Sequence, residues 1–380
     1  MDIAILTPQR IVAVARAARE RPDTDLLCFG ESDQLGSAAA AAAAAAALTS
    51  GDARYSDVRG LSTLRDALAA MLTRLHACEV AEERIQVTAS GMTAVNVALA
   101  ALVRAGDRVV IHTPAWPNIG NAVVLRQADV DALSLDADPE GRFSLDLGRL
   151  ADKLVGARAL VLNSPNNPTG WTATLAELTT ILALCRRHGV WLIADEVYNR
   201  LVYDGAESAP SLLDITDPAD RVVVCNSFSK TYAMTGWRLG WMVVPAGARD
   251  AVSEIVEVTH GGVAPFLQAG AIAALRDEPF VERFRSYCAA GRQRTVDALK
   301  GLSGVRFRAP DGAFYAFFGV DGLQDSLALS LSLVRDHGVA VAPGSAFGLA
   351  GEGHLRLCFA QAPDRIERAL GRLRRGLQAR

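Results

Sequence analysis

Five consecutive apolar residues, Val190-Trp191-Leu192-Ile193-Ala194, end on the acid Asp195, and this run constrains the chain more than any other stretch. A strand without polar alternation must be buried on both faces, which is the condition of a parallel sheet covered by helices. The residues before it supply such a helix: from Leu175 the apolar positions Leu178, Ile181, Leu182 and Cys185 recur at helical spacing until Gly189. Upstream, Arg158-Ala159-Leu160-Val161-Leu162 is a second short apolar run ending in a polar turn, so the whole reads as a βαβ unit. Similar units can be drawn around residues 93–103 followed by 108–112, and around 222–225. The expected class is α/β, with a mostly parallel sheet flanked by helices and ligands seated beyond the carboxyl ends of the strands.

A length of 380 residues suits two or three domains' worth of core. From about Phe280 the character changes, as Arg- and Leu-rich helices are interleaved with short strands at 313–318 and 354–359. A second, smaller α/β domain is expected there. The boundaries are then an N-terminal segment 1–35 that partly packs with the small domain, a large domain 36–274 and a small C-terminal domain 275–380. Ten alanines at 38–47 read as a scaffolding helix, capped by Ser37 and closed by Gly51.

The 39 Lys and Arg against 42 Asp and Glu leave a net charge of −3, which excludes a nucleic-acid binder working through a bulk basic surface. The six cysteines lie tens of residues apart without metal-ligand spacing, so they read as buried hydrophobes of a reducing compartment, and no metal is expected. The start, Met1-Asp2-Ile3-Ala4-Ile5-Leu6-Thr7-Pro8, lacks a basic region before a long apolar core, and no uncharged apolar run reaches the roughly 18 residues of a membrane span. A cytoplasmic protein without membrane or nucleic-acid partners is the expectation.

Three strand ends carry unusual residues. Asn163-Ser164-Pro165-Asn166-Asn167-Pro168-Thr169-Gly170 is either a plain turn or a site loop. Asp195-Glu196-Val197-Tyr198 puts a carboxylate at the end of a buried strand, where it is a helix cap or the counter-ion of something cationic. Asn226-Ser227-Phe228-Ser229-Lys230 sets a lysine among hydroxyls just after a strand; alone, it would be an ordinary solvated lysine.

Taken together, these segments resemble the class I/II aminotransferases of the fold-type I pyridoxal phosphate family. The resemblance is carried by Ser164-Pro165-Asn166-Asn167-Pro168-Thr169-Gly170, Ala194-Asp195-Glu196-Val197-Tyr198, Ser227-Phe228-Ser229-Lys230, Met234-Thr235-Gly236-Trp237-Arg238-Leu239-Gly240 and His354-Leu355-Arg356-Leu357, in the family's order over nearly the whole chain. It implies pyridoxal 5′-phosphate held by Lys230 as a Schiff base, within a large cofactor-binding domain. Freed by the substrate amine, Lys230 would then move the proton. By the same resemblance Asp195 faces the pyridine nitrogen, Asn167 and Tyr198 hydrogen-bond the phenolic oxygen, and Trp116 stacks on the ring. The phosphate falls to Gly91 and Met92 at a helix start, with Ser227 and Arg238. Tyr55 resembles the tyrosine that reaches the neighbouring subunit's phosphate, which implies a homodimer. Arg356, with Asn167 and the backbone of Gly30, would take the substrate's α-carboxylate.

One departure bears on substrate. Some bacterial aspartate aminotransferases place a lysine where this chain has Met92, so the expectation is transfer from a neutral or aromatic L-amino acid to a 2-oxo acid. Carbon–sulfur or related elimination on the same scaffold is the alternative, because the electron sink belongs to the cofactor. Ser227-Phe228-Ser229-Lys230 also satisfies Ser-x-x-Lys of the penicillin-binding acyl enzymes, but their Lys-Thr-Gly element is absent. A pyridoxal-sensing regulator would need an added DNA-binding module, and none is expected since the resemblance starts near Gly30.

Overall fold

The computed structural model describes residues 6, 10–51, 54–76 and 78–379. The reading of the chain's start rests on residues 1–8, which apart from Leu6 lie outside the described residues. Its centre is a seven-stranded sheet of β1 (Ile85–Thr88), β2 (Arg108–Thr113), β3 (Asp129–Ser134), β4 (Ala159–Asn163), β5 (Trp191–Asp195), β6 (Val222–Ser227) and β7 (Gly240–Val243), in spatial order β1-β7-β6-β5-β4-β2-β3. The β6, β5, β4, β2 and β3 strands pair in parallel, whereas β7 runs antiparallel to both β6 and β1. Val109, Leu160, Leu192, Ile193 and Val223 are all buried in this sheet, as unalternated strands require.

The expected βαβ unit is present. Its helix is Leu175–His188, started by a capping box between Thr174 and Glu177 and stopped by Gly189 at φ 67°. Both flanking strands run one residue further than the apolar pattern suggests. Asn163 and Asp195 are the last residues of β4 and β5 and stand opposite each other in register, so the ladder continues through two polar side chains.

The C-terminal region folds into a four-stranded sheet of β8 (Val305–Arg306), β9 (Tyr315–Val320), β10 (Ala342–Pro343) and β11 (His354–Cys358), in order β8-β9-β11-β10. The strand expected from residue 313 starts at Tyr315, because Ala313 turns the chain at φ 59°. Asp25–Leu26 pairs in parallel with Val339–Ala340, and helix Arg10–Arg19 packs on the same region. Five of the six free cysteines are buried and Cys78 is half-buried.

The alanine tract forms helix Ala38–Thr49, with Ser37 accepting from the Ala40 N–H, Ser50 as its C-cap and Gly51 following at φ 77°. It lies on helix Pro265–Arg276, where a Cβ at Gly270 would stand 2.9 Å from the Ala40 carbonyl oxygen. Small residues on both sides let the two backbones approach, and only Ala40 and Ala44 of the tract are buried. Among the described residues no helix is long and apolar enough to cross a membrane, and no group of three His, Cys, Asp or Glu is placed to hold a metal.

Candidate active site

The carboxyl ends of the central strands, the N-terminal segment and the four-stranded sheet enclose a cavity of about 340 Å³. Gly30, Gly91, Met92, Trp116, Asn167, Asp195, Tyr198, Ser227, Lys230, Arg238 and Arg356 all line it, so every sequence-derived candidate but one converges there. Tyr55 is the exception. It is 99% exposed and borders a separate hollow with Leu48 and Phe266.

One wall is made by strand register. Gly240, the first residue of β7, stands opposite Ser227 on one side and Thr88 on the other. Helix Gly91–Leu102 starts against this point, with Ser90 as N-cap accepting from the Thr93 N–H at 3.0 Å. A Cβ on Gly240 would sit 2.5 Å from the Gly91 nitrogen, and one on Gly91 would sit 3.0 Å from the Ser227 Cβ. The two glycines thus leave the helix N-terminus open to the cavity, the arrangement that suits an anion. Arg238 reaches the same wall from a left-handed backbone conformation, φ 55°, which a non-glycine residue holds at a cost.

The acids at the end of β5 differ in their surroundings. Glu196 is satisfied: its carboxylate accepts from the Ser211 hydroxyl at 2.7 Å and from the Leu212 N–H at 3.1 Å. Asp195 lines the cavity, and its Oδ1 is buried with no hydrogen-bond partner among the described residues. Burial pushes its carboxyl up to about 7, against the backbone N–H of Val197 and the charge of Lys230, which pull it down. The structure therefore favours the counter-ion over the helix cap, since an unpartnered carboxylate oxygen facing a cavity calls for a cation.

Lys230 donates from Nζ to the Gly30 carbonyl at 2.6 Å. Its ammonium lies 5.8 Å from the Tyr198 ring centre and 5.7 Å from that of Phe314. Burial pushes it down to about 8, with Arg356 adding repulsion, so this is not an ordinary solvated lysine. Arg356 is 1% exposed and donates to Asn167 Oδ1 at 2.8 Å and to the Cys28 carbonyl at 2.6 Å. No carboxylate of the described residues pairs with it. With Oδ1 taken by Arg356, the Asn167 amide has Nδ2 left to donate to an oxygen.

Some neighbours had no role in the sequence-based expectations. Asn163 accepts from the Asn167 N–H at 2.8 Å and donates to the Asp195 carbonyl at 3.0 Å, tying two strand ends together. Its own N–H donates to Nε2 of buried His112, which desolvation holds neutral, its value lowered to about 4. The pairing of two polar residues at the ends of adjacent apolar runs was the available signal. Tyr315 and Phe347, which flank Arg356, had none.

The carboxyl edge of the parallel sheet thus brings a buried lysine and an unpartnered acid to a cavity whose facing wall, on β11 of the four-stranded sheet, carries an arginine without a carboxylate partner among the described residues, an arrangement that suits a small anionic ligand. Comparison with known proteins fixes the class. The family model "Aminotransferase class I and II" matches residues 24–373. The chain is 37% identical to the valine–pyruvate aminotransferase of Mycobacterium tuberculosis, over 95% of this chain and 94% of that one. It is 31% identical to the aspartate aminotransferase of Thermotoga maritima, over 100% and 98% respectively. A crystal structure of an aminotransferase from Mycobacterium tuberculosis superposes with a TM-score of 0.93 at 34% identity, covering 100% of both chains. The chain belongs to the class I and II aminotransferases. It has the fold-type I architecture and is a pyridoxal phosphate-dependent aminotransferase; the names of these relatives do not favour the elimination alternative.

The residues present fit that cofactor. The orphaned Oδ1 of Asp195 matches a protonated ring nitrogen, and the glycine-lined helix start matches a phosphate.

Proposed function

We propose that this aminotransferase moves the amino group of a neutral L-amino acid, aliphatic or aromatic, to a 2-oxo acid. The convergence of Lys230, Asp195 and Arg356 on one cavity carries the reading. When bound, pyridoxal phosphate supplies an aldehyde that captures amines and a ring that withdraws electrons from the substrate's α-carbon.

Each side chain then has a task suited to its surroundings. Lys230 holds the cofactor's aldehyde, and its lowered proton affinity lets Nζ take up and return a proton near neutral pH. Asp195 keeps the ring nitrogen protonated. The start of helix Gly91–Leu102 at Gly91 and Met92, with Ser227 and Arg238, holds the phosphate. Trp116 would pack on the ring, Asn167 and Tyr198 would hydrogen-bond its oxygen, and Arg356, with Asn167 and Gly30, would orient the α-carboxylate.

The substrate preference rests on Met92 and on charge. The cations on the cavity wall, Lys230, Arg238 and Arg356, are those given to the cofactor and the α-carboxylate, and Glu31 on the same wall would repel a second carboxylate. Leucine, methionine and phenylalanine should have kcat/KM at least about tenfold above aspartate and glutamate, since a poorly matched charge costs more than about 1.4 kcal/mol. Steady-state rates in the opposite order would sink the preference.

The hollow beside Tyr55, about 430 Å³, exposes Leu48 as well as the tyrosine ring, and a second copy of the chain covering it supports a homodimer in which Tyr55 serves the other cavity. Light scattering should give twice the chain mass; a fully active monomer would exclude this. The division into 1–35, 36–274 and 275–380 is supported by the pairing of Asp25–Leu26 with Val339–Ala340. The 274/275 boundary falls in the last turn of helix Pro265–Arg276, one turn short of Asp277, which caps the next helix. The free cysteines support a cytoplasmic location.

A further inference from the structure

Tyr315 opens β9 and is fully buried, and it touches three groups at once. Its hydroxyl lies 2.7 Å from that of Tyr198. Its ring lies against the Arg356 guanidinium, 4.3 Å from ring centre to the guanidinium carbon, while Phe347 presents a second ring to the same carbon at 4.7 Å. A Cβ at Gly30 would stand 2.1 Å from the Tyr315 hydroxyl, so the backbone that accepts from Lys230 leaves room for this oxygen only as glycine. The residue is thus wedged between the lysine's acceptor, the tyrosine given to the cofactor and the arginine given to the substrate.

Hydrogen counting sets the direction of the hydroxyl pair. Each phenol carries one hydrogen. If Tyr198 donates to the cofactor's oxygen, the bond between the two hydroxyls must be donated by Tyr315. Arg356 has its own requirement: two of its nitrogens are fixed by Asn167 and Cys28, and its remaining orientation depends on the flanking rings, a cation–ring contact that strengthens when water is excluded.

We infer that Tyr315 is a positioning residue of the transamination site, its ring orienting Arg356 for the α-carboxylate and its hydroxyl donating to Tyr198 so that Tyr198 is free to donate to the cofactor. This rests on the roles proposed above for Tyr198 and Arg356. The charged and titratable groups facing the pair are Asp195, Lys230, Arg356, Glu31 and Cys358. None of them replaces the donated hydrogen, because among the described residues the Tyr198 hydroxyl has no hydrogen-bond partner other than Tyr315.

Two variants of the cofactor-loaded enzyme separate the two tasks. Tyr315→Phe keeps the ring and removes the donor; Tyr198 then donates less strongly, and the proton at Lys230 Nζ is held more firmly. The pH midpoint of the cofactor's visible band should rise by about 0.5 unit. Tyr315→Leu removes the ring, and 4-methylpentanoate, a carboxylate that cannot react, should bind at least about tenfold more weakly by spectral titration. A Tyr315→Phe midpoint equal to wild type, or unchanged 4-methylpentanoate binding by Tyr315→Leu, would overturn the inference.

Should Tyr315→Leu not fold, Tyr198→Phe decides. The double variant Tyr198→Phe/Tyr315→Phe should titrate like Tyr198→Phe alone, and additive shifts would show that Tyr315 does not act through Tyr198. A wild type with no titrating visible band after cofactor addition would count against the cofactor roles instead.

Discussion

Lys230→Ala should lower the rate of transamination at least about a thousandfold, because in the proposed reading it removes both the amine that would hold the cofactor and the group that would move the proton, and proton transfer alone is worth about 10² to 10⁴. The fold should survive. Lys230 sits in the loop after β6, and its one side-chain hydrogen bond among the described residues is to Gly30, while the surrounding Phe228, Tyr232 and Met234 are packed in the core without it. Reduction with borohydride should fix the cofactor to the peptide containing Lys230 in the wild type and leave the variant unlabelled. The variant should still retain cofactor loosely, since the wall at Gly91, Ser227 and Arg238 is untouched. Lys230→Arg should be as inactive as the alanine variant, because a guanidinium keeps its charge but does not release its proton. A Lys230→Ala enzyme within tenfold of wild type, or a label on another residue, would overturn the assignment.

The lowered proton affinity of Lys230 adds a pH signature. Burial costs the ammonium form, so the free amine becomes the major form above about 8 rather than above 10.5. Capture of added pyridoxal phosphate by the cofactor-free protein should accelerate with pH around that value.

Much of this site could be read before the fold, for a definite reason. In a parallel sheet each strand delivers its last residues to one edge, so the polar residues that end the apolar runs, Asn163, Asp195 and Ser227, were bound to meet. The helix of the βαβ unit was equally legible, since Thr174, Glu177 and Gly189 mark its ends chemically. What stayed hidden depends on the chain returning from a distance. The antiparallel β7 is only four residues long and contributes Gly240, which closes the Met234–Gly240 segment of the resemblance but whose use, to have no side chain in the cavity wall, no periodicity shows. Tyr315 and Phe347 look like ordinary core aromatics of short strands and turns. Their meeting with Arg356 is decided by the pairing of β9 with β11 and by the turn at Gly344–Phe347, which no local periodicity encodes.

Asp195→Asn should lower kcat about a hundredfold to a thousandfold, the scale of losing one preorganised electrostatic partner in a water-poor site. The amide has nearly the shape of the carboxyl, and the backbone bonds that hold this strand end, from Ser164 N–H to the Asp195 carbonyl and from Glu196 N–H to Cys225, do not involve the side chain. The loss would therefore report charge rather than collapse. Stability gives an independent reading with the opposite sign. In the cofactor-free protein the Asp195 carboxyl is raised from 3.8 to about 7, chiefly by burial, so the folded state binds its proton more tightly than the unfolded chain does. The stability tied to that proton is complete below about 4 and is lost as pH rises through about 7. The difference in Tm between the cofactor-free Asp195→Asn variant and wild type should thus grow between these limits, with the variant the more stable by a few degrees above pH 7. Adding pyridoxal phosphate should reverse the order, because in the proposed reading a protonated ring nitrogen would give the wild-type carboxylate the cation that burial denies it. A variant that stays active would show that Asp195 does not carry the cofactor's charge, and a Tm difference flat from pH 4 to 8 in the cofactor-free protein would show that burial does not raise its carboxyl.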